Sequence, residues 1–462
     1  MVSILNYFPK GKSARPGQAA ILLQVEELLA KNDVLVLTAP TAFGKTELAV
    51  TLAAWIRGNV NYLQPNNILV DQAASRYSEF TPLHRRAAYP CLNRDHYDPE
   101  IPCRCQFHLA RRTAQSAKIR LMNYWTYFAN RPAVTATTLI FDEGHQVVDM
   151  LATFNNEKLL QSEFGFPDTL RTVGGFIEWA QCELEKADND DLQAAVNKLS
   201  LITPEHGLVL KRIGSDVALS IQPVTAQVFG YLLWPRKAVR KLIFMSATIG
   251  PLDIKELGLD SLRVAYLDCE SPIPPANRPL VYEPRYNLSH DCVPLALPVL
   301  AKTVEDLLKR HPEKGIIHVP YGLAGKLQVL CSHPRLRYHT KRTKASVLQE
   351  FKDSLPEDGA VLVASGLYEG VDLPYDAARW QLIAKVPFLS FADPIIELRA
   401  KHNPEWYAWE TVKRLLQAYG RIVRAPDDQG ISYICDTTFS GLFRRNKQLF
   451  PQFVRDALKG IK

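Results

Sequence analysis

The 462-residue chain has no apolar run approaching the roughly 18 residues that a membrane span requires, and its first residues lack the apolar core of a secretory signal. Neither a membrane span nor export is expected. Cysteine is also scarce. Eight of them are too few for a disulfide scaffold at this length, so a reducing, cytoplasmic setting is expected. Charge of neither sign dominates: a net charge of +7 permits a polyanionic partner without requiring one. What remains, 47% hydrophobic and 22% charged residues, is an ordinary globular composition with length for about three domains.

The most informative stretch is Ala39–Thr46, APTAFGKT. Val34-Leu-Val-Leu37 before it reads as a buried parallel strand, and Glu47–Ile56 after it has apolar residues at helical spacing. Strand, tight loop and helix in this order suit a phosphate, because the loop N–H groups and the helix's positive end surround it. Thr41 and Gly44 then belong to the loop. Lys45 supplies a charge to the β- and γ-phosphates, and Thr46 a hydroxyl to Mg²⁺. Upstream, Gln18 in Arg15-Pro-Gly-Gln18 carries both a donor and an acceptor and is a candidate for reading an adenine edge.

Val60–Leu63 reads as the next strand, followed by a turn at Gln64–Asn67 and a helix over Ile68–Tyr77 whose N-terminus suits a backbone phosphate. The pattern breaks from about 85 to 120, where Cys91, Cys103 and Cys105 crowd among prolines and His96 and His108. This segment reads as an insertion with its own small centre. Order returns at Thr137–His145, an apolar strand ending in Asp142-Glu143. Carboxylates at the C-terminal edge of a parallel strand face the crevice where α/β proteins bind ligands. Asp142 is expected to hold Mg²⁺, and Glu143 to orient and deprotonate an attacking water. Residues 150–235 show helical patterns at 176–186 and 190–199 but no chemistry. Leu242–Thr248 is another strand, ending in Ser246-Ala-Thr248.

The proline-dense Ser271–Pro279 reads as a stiff link to a second domain. There, strands at 315–319, 360–364 and 382–387 alternate with helices at 345–354 and 406–420. Ser365–Leu373 follows one strand, and Gln417-Ala-Tyr-Gly-Arg-Ile-Val-Arg424 closes the last helix. Arg421 and Arg424 stand three apart, so on a helix they share a face and suit a phosphate's oxygens. Basic clusters recur beside these motifs, at 84–86, 111–112, 236–241, 341–344 and 444–447, and raise nucleic acid as a ligand.

Taken together, the set resembles the motifs of a superfamily 2 helicase in their usual order: APTAFGKT motif I, QPNNILVDQ motif Ia, DEGH motif II, SAT motif III, SGLYEGVDLP motif V and QAYGRIVR motif VI. It is most similar to the XPD/DinG family of iron–sulfur DNA helicases. Tyr89-Pro-Cys91, Cys105–Arg111 with Met122-Asn-Tyr124, Glu369–Asp372 before Lys385–Phe388, and Ala392-Asp-Pro394 carry that likeness. Three features depart from the family. Position 42 is Ala where Gly is usual, three cysteines stand where the family's cluster has four, and the segment between motifs II and III is short.

The resemblance implies an α/β protein of two RecA-like parallel-sheet motor domains. The first spans 1–250 with a cysteine insertion at about 85–120 and an arch-like one at about 150–235; a linker covers 251–280, and the second domain spans 281–462. ATP·Mg²⁺ is expected in the cleft between the domains. Gly370, Asp372 and Gln417 join its contacts, and Arg421 and Arg424 act as fingers on the γ-phosphate. The expected partner is single-stranded DNA or a forked duplex, bound by a monomer travelling 5′→3′. An ATP-switched nucleic-acid clamp and an RNA-directed helicase without processive unwinding are the alternatives. For the cysteines the resemblance implies an iron–sulfur cluster completed by His96 or His108; zinc on three Cys and one His, or loss of the centre, are the other outcomes.

Overall fold

The computed structural model describes residues 3–40, 42–90, 105–130, 134–154, 157–170, 172–186, 188–199, 208–213, 216–221, 224–234, 238–366 and 372–461. The chain forms two compact units: residues 1–40, 44–269 and 391–402 make the first, and residues 41–43, 270–390 and 403–462 the second.

The first unit carries β1 (Val34–Thr38), β2 (Val60–Gln64), β3 (Thr81–Pro82), β4 (Ile119–Asn123) and β5 (Thr138–Asp142). A separate group follows, β6 (Glu157–Leu160), β7 (Leu208–Ile213) and β8 (Asp216–Ile221), and then β9 (Lys241–Ser246) and β10 (Val264–Asp268). The main sheet has the order β10-β1-β9-β5-β2-β4-β3, and every pair is parallel. Such sheets are covered on both faces, which is why β1 reads as an unbroken apolar run. Val34, Leu35, Val36 and Leu37 are fully buried. Register then sets the site. Thr38 lies opposite Ser246 and Asp142 opposite Met245, so the loops after β1, β5 and β9 leave the same carboxyl edge. Phe141 and Phe244, paired in the same register, stack with ring centroids 4.8 Å apart. Such a pair adds about 0.5–1.5 kcal/mol beyond burial and locks β5 to β9 one residue before Asp142.

Two segments differ from their sequence-based readings. The proline-dense stretch points to a linker over 251–280, yet Pro251–Glu256 is helical and β10 pairs with β1 as the edge of the main sheet. The short 150–235 segment, which suggests helices alone, also holds the antiparallel sheet β6-β8-β7 beside the helices Val173–Leu184 and Asp190–Leu199.

In the second unit lie β11 (Leu280–Tyr286), β12 (Gly315–Val319), β13 (Leu336–Tyr338), β14 (Val361–Ser365), β15 (Trp380–Ile383), β16 (Ile431–Asp436) and β17 (Leu458–Lys459). Their order is β13-β14-β12-β15-β16-β11-β17, again parallel throughout. The helix Val293–Arg310 lays Leu300, Val304 and Leu307 against this sheet, a stripe at helical spacing. Gly315 opens β12 because a Cβ there would overlap the ring of buried Trp380. No helix among the described residues is long and apolar enough to cross a membrane.

Candidate functional site

At the end of β1 the chain turns through 39–44 into the helix Lys45–Trp55. Gly44 has φ +88°, and a Cβ on it would collide with the Gln18 amide, so only glycine fits both backbone and neighbour. Ala42 holds φ +67°, a left-handed conformation that costs an L-residue about 1–2 kcal/mol. The Gly-to-Ala departure noted in the sequence therefore falls on a position where glycine is the unstrained choice. Gln18 lies in the first turn of the helix Pro16–Lys31, almost wholly buried. Its Oε1 accepts from the Arg15 backbone N–H at 3.0 Å. Glu47, next to the loop, accepts from Lys12 at 2.7 Å and from the Tyr77 hydroxyl at 2.8 Å. Thr41 lies outside the described residues.

The carboxylates stand beside this loop. Lys45 Nζ is 3.1 Å from Glu143 Oε1. Glu143 sits at φ +50°, a strained turn directly after β5, of the kind that collects at functional sites. Its second oxygen lies 3.5 Å from both His145 Nδ1 and Ser246 Oγ. His145 Nδ1 and Ser246 Oγ are themselves 2.7 Å apart, and Ser246 Oγ accepts from the Thr248 N–H at 3.0 Å. One carboxylate thus connects the phosphate loop to the Ser-Ala-Thr loop. Asp142 is more deeply set. Its Oδ2 accepts from the Tyr62 hydroxyl at 2.8 Å, and its backbone carbonyl accepts from the Tyr124 hydroxyl. Burial, then the neighbouring charge of Glu143, push the Asp142 pKa up, while Lys45 and Tyr62 oppose the shift. Burial also raises the Tyr62 hydroxyl well above its ordinary value, with the Asp142 charge adding to it and a hydrogen bond with Thr46 working against it. Thr46 and Asp142 therefore share Tyr62 as a neighbour, an arrangement that can hold a hard cation through oxygen.

In the second unit Arg424 Nη2 is 3.0 Å from Asp372 Oδ2, and Arg421 Nη1 is 3.7 Å from Asp372 Oδ1. The spacing of the arginines suggests one helix face; the helix Pro404–Tyr419 in fact ends before both. Gly420 ends it, and the arginines fold back onto its last turn. Arg421 Nε donates to the Gln417 carbonyl at 2.8 Å and Arg424 Nη1 to the Gly420 carbonyl at 3.1 Å. Carbonyls at a helix C-terminus lack intrahelical donors and favour cations, which explains why the pair gathers there. Beneath this end, His318 in β12 is fully buried, with Nε2 3.2 Å from Gln381 Oε1. Gln381 Nε2 donates to the Tyr419 carbonyl at 3.0 Å and to Ser432 Oγ at 2.8 Å. Burial pushes the His318 pKa down to about 4; the Gln381 bond opposes this and the Arg421 charge adds to it. Gly370 lies outside the described residues.

Two family models match the chain: one described as type III restriction enzyme, res subunit, over residues 11–165, and one described as helicase C-terminal domain, over 300–457. The ATP-dependent DNA helicase YoaA of Escherichia coli K12 is 35% identical over 103 residues, 20% of this chain and 16% of that protein. The ATP-dependent DNA helicase DinG of Photobacterium profundum is 26% identical over 249 residues, 48% of this chain and 35% of that protein. A solved XPD helicase structure superposes over 94% of this chain and 98% of its own, with a TM-score of 0.65 at 14% identity. Along both halves the chain is thus similar to XPD/DinG-like superfamily 2 helicases. Its two seven-stranded parallel sheets are the RecA-like pair of that fold. The chain aligns with well under half the length of these two curated relatives.

Of the XPD/DinG-like cysteine segment, Cys91 and Cys103 lie outside the described residues, as does His96. Cys105 is half-buried at the N-cap of the helix Gln106–Ser116. His108 follows one turn later, with Nδ1 3.4 Å from Arg111 Nη2. Among the described residues no group of three or more His, Cys, Asp or Glu is placed to hold a metal ion. The structure gathers Lys45, Asp142 and Glu143 and sets Thr46 beside Tyr62; sequence reasoning placed His145 and Ser246 in motifs II and III but assigned them no role, and assigned Tyr62 neither.

Proposed function

We propose that this protein hydrolyses ATP to move along single-stranded DNA, as an ATP-dependent DNA helicase or translocase. The observation that carries the reading is the meeting of Lys45 and Glu143 at 3.1 Å on the sheet edge that also bears Asp142. The residues fit ATP·Mg²⁺: the loop turns through Gly44 at a left-handed φ of +88° into the N-terminus of the helix Lys45–Trp55, and Asp142 and Thr46, which share Tyr62 as a neighbour, offer oxygen ligands. Bound Mg²⁺ neutralises charge on the phosphates. In this reading Lys45 holds the β- and γ-phosphates, Glu143 takes the proton of the attacking water, and Thr41 and Gly44 shape the loop. Gln18 meets the base. Arg421 and Arg424 leave Asp372 to stabilise charge developing on the same γ-phosphate, with Gly370, Asp372 and Gln417 as further nucleotide contacts.

The likeness to YoaA and DinG, both named ATP-dependent DNA helicases, supports DNA as the track. A monomer passing 5′→3′ over a single strand or fork in the cytoplasm completes the reading. The Cys91, Cys103 and Cys105 thiols with His96 or His108 are its donors for an iron–sulfur cluster or zinc, tested by visible absorption and metal analysis after anaerobic purification. The central test is steady-state ATP hydrolysis with and without a single-stranded oligodeoxynucleotide. Stimulation by DNA is expected. An equal rate in both would sink the reading, and duplexes with 5′ or 3′ tails would decide the direction.

A further inference from the structure

A pocket of about 510 Å³ opens in the first unit, and none of the nucleotide-site residues lines it. We propose that it takes one nucleobase of the single strand, turned out of its stack, with the adjoining phosphate on Arg85 and Arg86. The inference rests on the DNA-directed function above and names a contact within it.

Its size suits a base with part of its sugar. Its walls are aromatic: Trp125, 45% exposed, has its ring 5.7 Å from Phe154, and Phe107 also lines the pocket. Exposed tryptophan beside phenylalanine is the platform on which single-stranded bases stack. The wall also carries a polar edge. Asn123 Nδ2 donates to Asn67 Oδ1 at 2.6 Å, and Asn123 Oδ1 accepts from the Thr126 N–H at 2.7 Å. The Thr126 hydroxyl, on the same wall, is buried and lacks a hydrogen-bond partner. A purely apolar occupant would leave the Thr126 hydroxyl unsatisfied, and a bare sugar phosphate would waste the rings. A base satisfies both, since its faces stack and its edge presents carbonyl and amino groups.

Charge agrees. Arg85 and Arg86 line the pocket, and Asn67 opens the helix Asn67–Arg76, whose first N–H groups favour an anion. The next turn of the helix Gln106–Ser116 adds Arg111, placed over the Phe107 ring at 5.9 Å. Burial first, then Arg111, Arg86 and Arg112, hold the His108 pKa below its ordinary value, as a locally positive surface would.

Fluorescence anisotropy of a labelled 20-nucleotide thymidine strand with the full chain tests the proposal. Trp125→Ala should weaken binding by about 5- to 150-fold, the range for one lost base–aromatic stack. Replacing the strand by an abasic one of equal length should cost the variant less than wild type by that same factor. Arg85→Ala with Arg86→Ala should flatten the dependence of log K on log salt by roughly 1. Thr126→Val keeps side-chain shape and should lose about 3- to 10-fold, one hydrogen bond; it decides the matter where Trp125→Ala fails to fold. Wild-type binding with Trp125→Ala and Thr126→Val unchanged, or an equal abasic penalty in both proteins, would overturn this pocket alone. Wild type that binds no strand at all would overturn the function proposed above and the pocket with it.

Discussion

The two halves of the proposed nucleotide site are held in opposite ways. In the first unit Asp142 and Glu143 continue directly from a buried strand, and tyrosine, lysine, histidine and serine side chains fix their oxygens. In the second unit the two arginines lie past the end of a helix and share one carboxylate, Asp372, whose side chain is 57% exposed. The first arrangement is pre-organised and expensive to move. The second is a surface clasp, and exposed ion pairs of that kind exchange partners at little cost. On the proposed reading, chemistry that must be aligned sits on the rigid element, and the groups that must engage and release sit on the soft one.

Glu143→Gln tests the rigid side with the largest effect: ATP should still bind, while turnover falls on the order of 10²–10⁴-fold, the usual share of a general base. Full DNA-stimulated turnover in that variant would remove the role given to Glu143. On the soft side, Arg421→Lys or Arg424→Lys keeps charge but loses the planar fork, and should lower turnover on the order of 10- to 100-fold with an unchanged urea midpoint. A shifted midpoint with normal turnover would reverse the contrast. The third concerns the support under those arginines. His318 is held neutral with a pKa near 4, below its unfolded value. Stability should therefore be full above about pH 6.5 and fall as pH drops toward 4. By pH 5 the loss should be on the order of 2 kcal/mol. Urea titrations at pH 7.5 and 5 should show this in wild type and not in His318→Gln. The smallest effect is Asp372→Asn, expected to shift the urea-derived stability by no more than about 1 kcal/mol. A larger loss would mean that the clasp is structural after all.

Sequence and structure agree best where local pattern and tertiary role coincide. The apolar run Val34–Leu37, the loop glycine and the acid pair at a strand end each announce themselves in a few residues. The β1, β5 and β9 strands appeared within a residue or two of their readings. Tyr62 did not announce itself, because its function depends on β2 lying beside β5, a fact no local window contains. The arginines misled in geometry alone: helical spacing runs smoothly into Gly420, and only the folded chain shows the guanidinium groups turning back onto the carbonyls. Strands β7 and β8 were missed because short alternating segments such as Leu208–Ile213 compete poorly with the helical patterns before them.

The position of β1 in its sheet has a consequence for biosynthesis. Its two neighbours are β9 and β10, more than 200 residues further along the chain. While the ribosome extends the polypeptide, the strand that launches the phosphate loop has no sheet neighbour, and every intervening element is made before it can dock. Contacts of such long sequence separation form slowly and leave apolar edges exposed meanwhile. A nascent chain halted before residue 241 would contain the whole of APTAFGKT and yet lack both strands that flank β1, so the loop proposed to hold the phosphates is seated late in synthesis.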